Sequence, residues 1–267
     1  MVRISIVTPS YNQGDYLEET IDSVLSQGIP GLEYIIMDGG STDHSVEIIR
    51  KYEKHLAYWQ SQPDGGQTQA ILEGFRRSTG QVLAWINSDD LYEPGTLAKV
   101  KREFEADSKL QLLYGDYSLL YRGGRKVAKP KISFDFNISL HAFLMIPQPA
   151  SFWSRDLYEA VGGVNPKFQY AFDYDLFLRF GKHLDDRPEA IRHVHDYFAQ
   201  FRVHEDSKSV SLQERFMPEY EAILAQFGVP PRGVMREIRK NVELIRALLR
   251  YYQERGFIPI RKEAGKA

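Results

Sequence analysis

The chain has 267 residues, 43 % hydrophobic and 26 % charged, with a net charge of −2 and a pI near 6.4. A core of this size needs no covalent staples, and with 0 cysteines disulfides, thiolate metal sites and a cysteine nucleophile are excluded. The balanced charge gives no case for nucleic acid as a partner, and no apolar run approaches the roughly 18 residues of a transmembrane helix. Met1 to Val7 runs straight into a strand pattern without the apolar core of a secretion signal, so a cytoplasmic location is expected.

Arg3 to Thr8 is a β-branched run ended by Pro9, which predicts the first strand. Asp15-Tyr-Leu-Glu18 reads as a capping box, with Leu17, Ile21, Val24 and Leu25 following at helical spacing. Leu32 to Met37 predicts a second strand that ends at Asp38. Gly39-Gly40-Ser41-Thr42-Asp43 is turn and capping chemistry, and Val46, Ile48 and Ile49 suggest the next helix. A further helix fits Gln67 to Arg77 and stops near Gly80. Val82 to Ile86 predicts a strand that runs into Asn87-Ser88-Asp89-Asp90. Pro94 suits the first turn of another helix, and Leu110 to Tyr114 predicts a fourth strand.

Strands separated by helices mean βαβ units, a mostly parallel sheet, and a ligand cleft beyond the carboxyl ends of the strands. Tyr11 with Asn12, Asp38, and Asn87 to Asp90 stand at three such ends. The second half is less regular. Residues 121–150 read as strands and loops, Leu157 to Val161 as a short helix closed by Gly162-Gly163, and Asp173 to Arg179 as the start of another with Phe177 and Phe180 facing inward. Asp196 to Val203 reads as a strand, and the chain is helical from Leu212 on. Met235, Ile238, Val242, Ile245, Leu249 and Tyr252 form an apolar stripe. Residues 229–267 hold 10 Lys/Arg and 4 Asp/Glu, so this tail is basic while the rest of the chain is acidic. A basic amphipathic helix can lie on an anionic membrane, pair with a second copy, or simply dock on its own domain.

Asn87-Ser88-Asp89-Asp90 offers hard oxygen ligands for Mg²⁺ or Mn²⁺, and the same acids would serve as helix caps. Asp38 at its strand end suits hydrogen bonds from a base or ribose, with Gly39 and Gly40 allowing close approach of a ligand, or a plain tight turn. Asp173 or Asp175 suits a general base, or a cap of its helix. His204 and Lys208, just past a strand, suit a metal and a phosphate. No G-x-G-x-x-G or G-K-[ST] follows a strand, which excludes the dinucleotide fingerprint and the P-loop.

Taken in order, Ile-Val-Thr-Pro9-Ser-Tyr-Asn12, Met-Asp38-Gly-Gly-Ser-Thr-Asp43, Gln62-Pro-Asp64-Gly-Gly-Gln-Thr-Gln, Asn87-Ser-Asp89-Asp90, Phe-Asp173-Tyr-Asp-Leu-Phe-Leu-Arg179 and Phe-Arg-Val-His204 resemble the family 2 glycosyltransferases over roughly residues 3–210. The resemblance implies a GT-A fold: a Rossmann-like α/β domain over 1–212, with a nucleotide-sugar half to about residue 115, an acceptor half over 116–212, and a basic helical extension over 213–267. It implies an inverting transferase that moves a sugar from a nucleotide-diphosphate donor, UDP foremost, to a glycan, lipid-linked or protein-linked acceptor, with Mn²⁺ or Mg²⁺ as cofactor. By position, Thr8, Pro9, Tyr11, Asp38, Asp64, Asn87 and Ser88 would bind the nucleotide. Asp89 and His204 would hold the metal, and Asp173 would be the base. Asp90, Gln148, Trp153, Asp175 and Lys208 are candidates for acceptor or diphosphate contacts. Two positions depart from the family pattern: Asn87 stands for its first D-x-D acid, and Phe172 for the Glu that precedes its base. Those departures leave a second reading, a non-catalytic nucleotide- or glycan-binding partner of a membrane-associated synthase.

Overall fold

A strand buried at every position is covered on both faces, and the first strand, β1 (Ile4–Ser10), is buried along its whole length although it carries Ser5, Thr8 and Ser10. Its alternation divides the core. Ile4 and Ile6 pack with α1 (Gly14–Leu25), α2 (Ser45–Tyr52) and α4 (Thr96–Ala106) on one face of the sheet. Val7 packs with α3 (Gln67–Arg77), α6 (Arg155–Ala160) and α7 (Phe172–His183) on the other. The computed structural model describes residues 1–129, 131–204 and 213–255.

The remaining strands are β2 (Leu32–Asp38), β3 (Tyr58–Ser61), β4 (Val82–Trp85), β5 (Leu91–Tyr92), β6 (Leu112–Tyr121), β7 (Lys126–Lys129), β8 (Ser151–Ser154) and β9 (Ile191–Val203). The sheet runs β3-β2-β1-β4-β8-β6-β9-β5, with β7 on the far part of β6. The first four strands of that order are parallel, and their carboxyl ends lie side by side. β8 runs antiparallel to both β4 and β6, whereas β6 and β9 are parallel. The parallel order of the sequence reading therefore holds for the first half, and the second half is mixed. β3, β5 and β8 carry no long apolar run and escape a periodicity search.

One local expectation changes. Asp15 caps nothing at the start of α1; Asp43 accepts from Gly14 N at 2.9 Å and Ser45 Oγ from Gln13 N at 3.1 Å, so the cap comes from the loop before α2. The two C-terminal helices, α8 (Gln213–Gln226) and α9 (Val234–Glu254), differ in how they dock. Ile223 and Leu224 of α8 enter the main core. α9 lies against α5 (Phe136–His141) through Ala247, Tyr251 and a set of arginines, and its apolar stripe faces outward. No helix among the described residues is long and apolar enough to cross a membrane.

Candidate functional site

A cleft of about 850 Å³ opens at the carboxyl ends of β1, β2 and β4. Pro9 and Tyr11 follow from β1, Gly39 from β2, Asp64 and Gln67 from the start of α3, and Asn87, Ser88 and Asp89 from β4. Gln148, Pro149, Phe172 and Asp173 complete the wall opposite in sequence, with Tyr117, Tyr170, Phe201 and Phe216 as further aromatic lining.

Asp89 and His204 meet here: Asp89 Oδ2 lies 2.9 Å from His204 Nε2, and the imidazole leans on Tyr16 with ring centroids 4.6 Å apart. They are joined across 115 residues by a neighbouring set of bonds. Asp90 Oδ1 accepts from Arg202 N at 2.9 Å, and Arg202 Nε donates to the Asp89 carbonyl at 2.9 Å. Asp90 is thus a buried brace, not a ligand contact. Burial, reinforced by the adjacent Asp89 charge, pushes its carboxyl well above the ordinary carboxylate value. A carboxylate oxygen and an imidazole nitrogen at this spacing fit a divalent ion such as Mn²⁺ or Mg²⁺. Asn87 joins the amide network beside them: its oxygen accepts from Gln67 at 2.8 Å, and its Nδ2 donates to Asp90 and Gln148 at 3.3 Å each.

Asp173 stands at the first turn of α7 on the cleft wall. Its Oδ1 accepts from Tyr174 N at 2.8 Å, yet burial pushes its carboxyl up to about 6. Asp175 points the other way. It is fully buried and bound by Arg179 through Nε at 2.9 Å and Nη2 at 2.5 Å, so it serves the fold of α7 and touches no ligand. Phe172 packs on Trp85 at 5.7 Å between ring centroids. The turn before α7 is held from α8: the Glu219 carboxylate accepts from the backbone N–H of Gln169, Tyr170 and Ala171, each at 2.8 Å.

Several expected contacts are corrected. Trp153 on β8 is fully buried among Trp85, Phe75, Phe177 and Phe180, so it is core and not acceptor wall. Thr8 lies beneath the cleft, its hydroxyl 3.0 Å from the Tyr34 hydroxyl. Asp38 is spent on its own loop, accepting from Gly40 N, Ser41 N, Ser41 Oγ and Ser61 Oγ. The neighbouring glycines also make room for the chain itself: a Cβ on Gly40, which has φ +81°, would stand 2.9 Å from Pro63 N, and one on Gly39 3.2 Å from the Asp64 carboxylate. Lys208 lies outside the described residues.

Sequence reasoning missed Glu219, Arg202 and Lys131. Lys131 lines the cleft with Nζ above the Tyr117 and Phe143 rings, and burial lowers its ammonium to about 8. Glu219 and Lys131 sit in no motif, and Arg202 lies inside the Phe-Arg-Val-His204 motif without having been singled out for a role. A separate group at the β6–β9 irregularity gathers Asp116, His193 and His195, whose candidate ligand atoms lie within 4.8 Å of one another. There Asp116 Oδ1 already receives Lys131 N at 2.7 Å and lies 2.8 Å from His193 Nε2.

Residues 5–129 match the family description "Glycosyl transferase family 2". An uncharacterised glycosyltransferase of Mycobacterium tuberculosis is 31 % identical over 182 residues, covering 66 % of this chain and 68 % of the relative. Among solved structures, residues 1–349 of Staphylococcus aureus TarS in complex with UDP-GlcNAc superpose with a TM-score of 0.67 at 18 % identity, over 98 % of this chain and 76 % of that one. Glucosyl-3-phosphoglycerate synthase of M. tuberculosis, with Mn²⁺, UDP and glucosyl-3-phosphoglycerate, gives 0.60 at 22 % identity, over 87 % and 82 %. At those identities the likeness is one of fold, and that fold is GT-A.

Proposed function

The chain belongs to glycosyl transferase family 2 and is a glycosyltransferase, and from that premise we propose that it is an inverting, metal-assisted enzyme taking a nucleotide-diphosphate sugar, UDP-linked first among candidates. The observation that carries this reading is one cleft holding two different devices: a carboxylate–imidazole pair suited to a divalent ion, and a carboxyl raised to about 6. A carboxyl that burial raises toward neutrality on a cleft wall is a recurring mark of acid–base sites.

In this reading Asp89 and His204 hold Mn²⁺ or Mg²⁺, which when bound supplies positive charge toward the departing diphosphate. Tyr11, Asp64, Asn87 and Ser88 border the nucleoside side, with the exposed Tyr11 ring free to lie against the base. Asp173 takes the proton of the acceptor hydroxyl as its oxygen attacks the anomeric carbon. The bond to the diphosphate breaks on the opposite face, and the anomeric configuration inverts. A base raised to about 6 is ionised at neutral pH and still basic enough to accept that proton. Tyr117, Tyr170, Phe201 and Phe216 offer ring faces to a sugar acceptor, which supports a glycan substrate. UDP-GlcNAc in TarS and UDP with Mn²⁺ in the synthase support the choice of donor class.

The test is a thermal-shift panel of UDP, GDP, dTDP, CDP and ADP with and without Mn²⁺, followed by NMR of the anomeric product. A ligand at about 100 times its Kd adds about 2.7 kcal/mol to stability. One nucleotide that stabilises only with Mn²⁺, and an inverted product, are expected. A retained anomeric configuration, or a shift independent of Mn²⁺, would overturn the reading.

A further inference from the structure

α9 is amphipathic the wrong way round for a helix docked on its own domain. Its inner side is polar: Arg246 and Arg250 bind Asp135, Arg246 also binds Glu243, and Arg236 binds Glu221. Glu243 and Ala247 are its buried residues. Its outer side carries Met235, Ile238, Val242, Ile245, Leu249 and Tyr252, all exposed, with Met235 at 74 %, Ile245 at 59 % and Ile238 at 51 %.

The spacing of those six is 3, 4, 3, 4, 3. That is the a/d repeat of a coiled-coil seam, sustained over the whole helix. A face that merely covers a globular core or lies on lipid is broader and follows the 3.6-residue period. The seam carries no charge, so a second helix of the same kind meets it without repulsion. Val234 and Leu248, also exposed, widen it on one side.

We propose that this seam is a self-association surface, through which two copies of the chain pair by their α9 helices about a two-fold axis. A two-fold contact is isologous, so one self-complementary stripe suffices. The 21 residues of α9 span about 31 Å. These eight exposed apolar side chains over that length give a patch on the scale of the roughly 800 Å² per partner of a specific interface. A lipid surface fits less well. Membrane-lying helices use basic residues around the apolar face, and here Arg236, Lys240, Arg246 and Arg250 are each paired with an acid of the same chain.

The experiment is light scattering with sedimentation velocity on the 267-residue chain across a concentration series into the micromolar range, without detergent. The expected mass is about twice 30.8 kDa. The double variant Ile238→Glu/Ile245→Glu buries like charges at the seam, so it is expected to weaken pairing by at least about 100-fold, leaving a monomer with an unchanged melting temperature. If that variant melts early, Met235→Glu at the more exposed end supplies the same reading. Lys240→Glu, off the seam, keeps the dimer. A wild-type chain that stays monomeric throughout, or a double variant that keeps the dimer mass, overturns the proposal. So does a monomer that binds phosphatidylglycerol vesicles and loses them in the double variant, which would give the face to lipid.

Discussion

Asp173→Asn separates the cost of the site from its use. The folded carboxyl titrates at about 6 against an ordinary 3.8, a difference of about 2 pH units. At about 1.36 kcal/mol per unit, ionised Asp173 costs up to about 3 kcal/mol of stability, and about 1–2 kcal/mol once its partial solvent contact in the cleft is counted. The sign follows from linkage: the cost is complete above pH 6, falls as pH drops from 6 to 4, and vanishes below 4, where both states are protonated. Asparagine resembles the neutral carboxyl, and its oxygen can still accept from Tyr174 N. The variant should therefore melt about 3–6 °C higher at pH 7–8, with the difference closing to zero near pH 4. Its turnover should fall by about 10²–10⁴-fold, while the wild-type rate rises with pH through about 6. Differential scanning fluorimetry across pH, paired with a donor-turnover assay, reads both quantities. A variant that is less stable at pH 7, a stability difference that ignores pH, or turnover within about tenfold of wild type would refute the reasoning.

Asp89→Asn and His204→Ala should each abolish the Mn²⁺ dependence of nucleotide-induced stabilisation in the same fluorimetry assay. Glu219→Ala leaves three backbone N–H groups without their acceptor, so it should cost about 2–3 kcal/mol in a urea titration and lower kcat more than donor affinity. Trp153→Ala should cost about 3–5 kcal/mol. Trp153→Phe should cost about 1–2 kcal/mol, because Nε1 is buried without a hydrogen-bond partner; equal donor and acceptor KM values in that variant would agree with its core position. Asp175→Ala strands Arg179 beside a buried position and should cost about 3–5 kcal/mol, with nucleotide affinity of the folded fraction unchanged.

The parallel half of the sheet was legible because β1, β2 and β4 are short apolar runs that end in polar clusters, and such runs have few other folds available. The cleft was legible for the same reason, since Tyr11, Asn87 and Asp89 sit at those ends. Motif order could not tell which acids face the cleft. Asp38, Asp90, Asp173 and Asp175 are all strand-end or helix-start carboxylates in sequence, yet two organise loops, one is a base candidate and one is an internal counter-ion. For Asp38 and Asp90 that division is set by partners from other strands, Ser61 and Arg202, whereas Asp175 is claimed by Arg179 one turn further along the same helix. Trp153 read as a sugar platform because an aromatic on a loop and one on a central strand look alike until β8 is recognised. The stripe of α9 was visible as a period, but which way it turns depends on Asp135, remote in sequence, and on Glu221 of the preceding helix.

The bond between Asp89 and His204 has a consequence for the order in which the chain folds. The two residues are separated by 115 positions, and Asp90 and Arg202 by 112. Contacts so remote carry a large loop-closure cost and form after local pairings have shortened the loop. β1, β2, β4 and their helices can assemble from neighbouring segments, whereas docking of the end of β9 against the β4 loop closes a long loop and is expected to follow them. A refolding chain should thus recover helical signal and tryptophan burial before it recovers Mn²⁺-dependent nucleotide binding. The lag between them would be a clock for the arrival of β9.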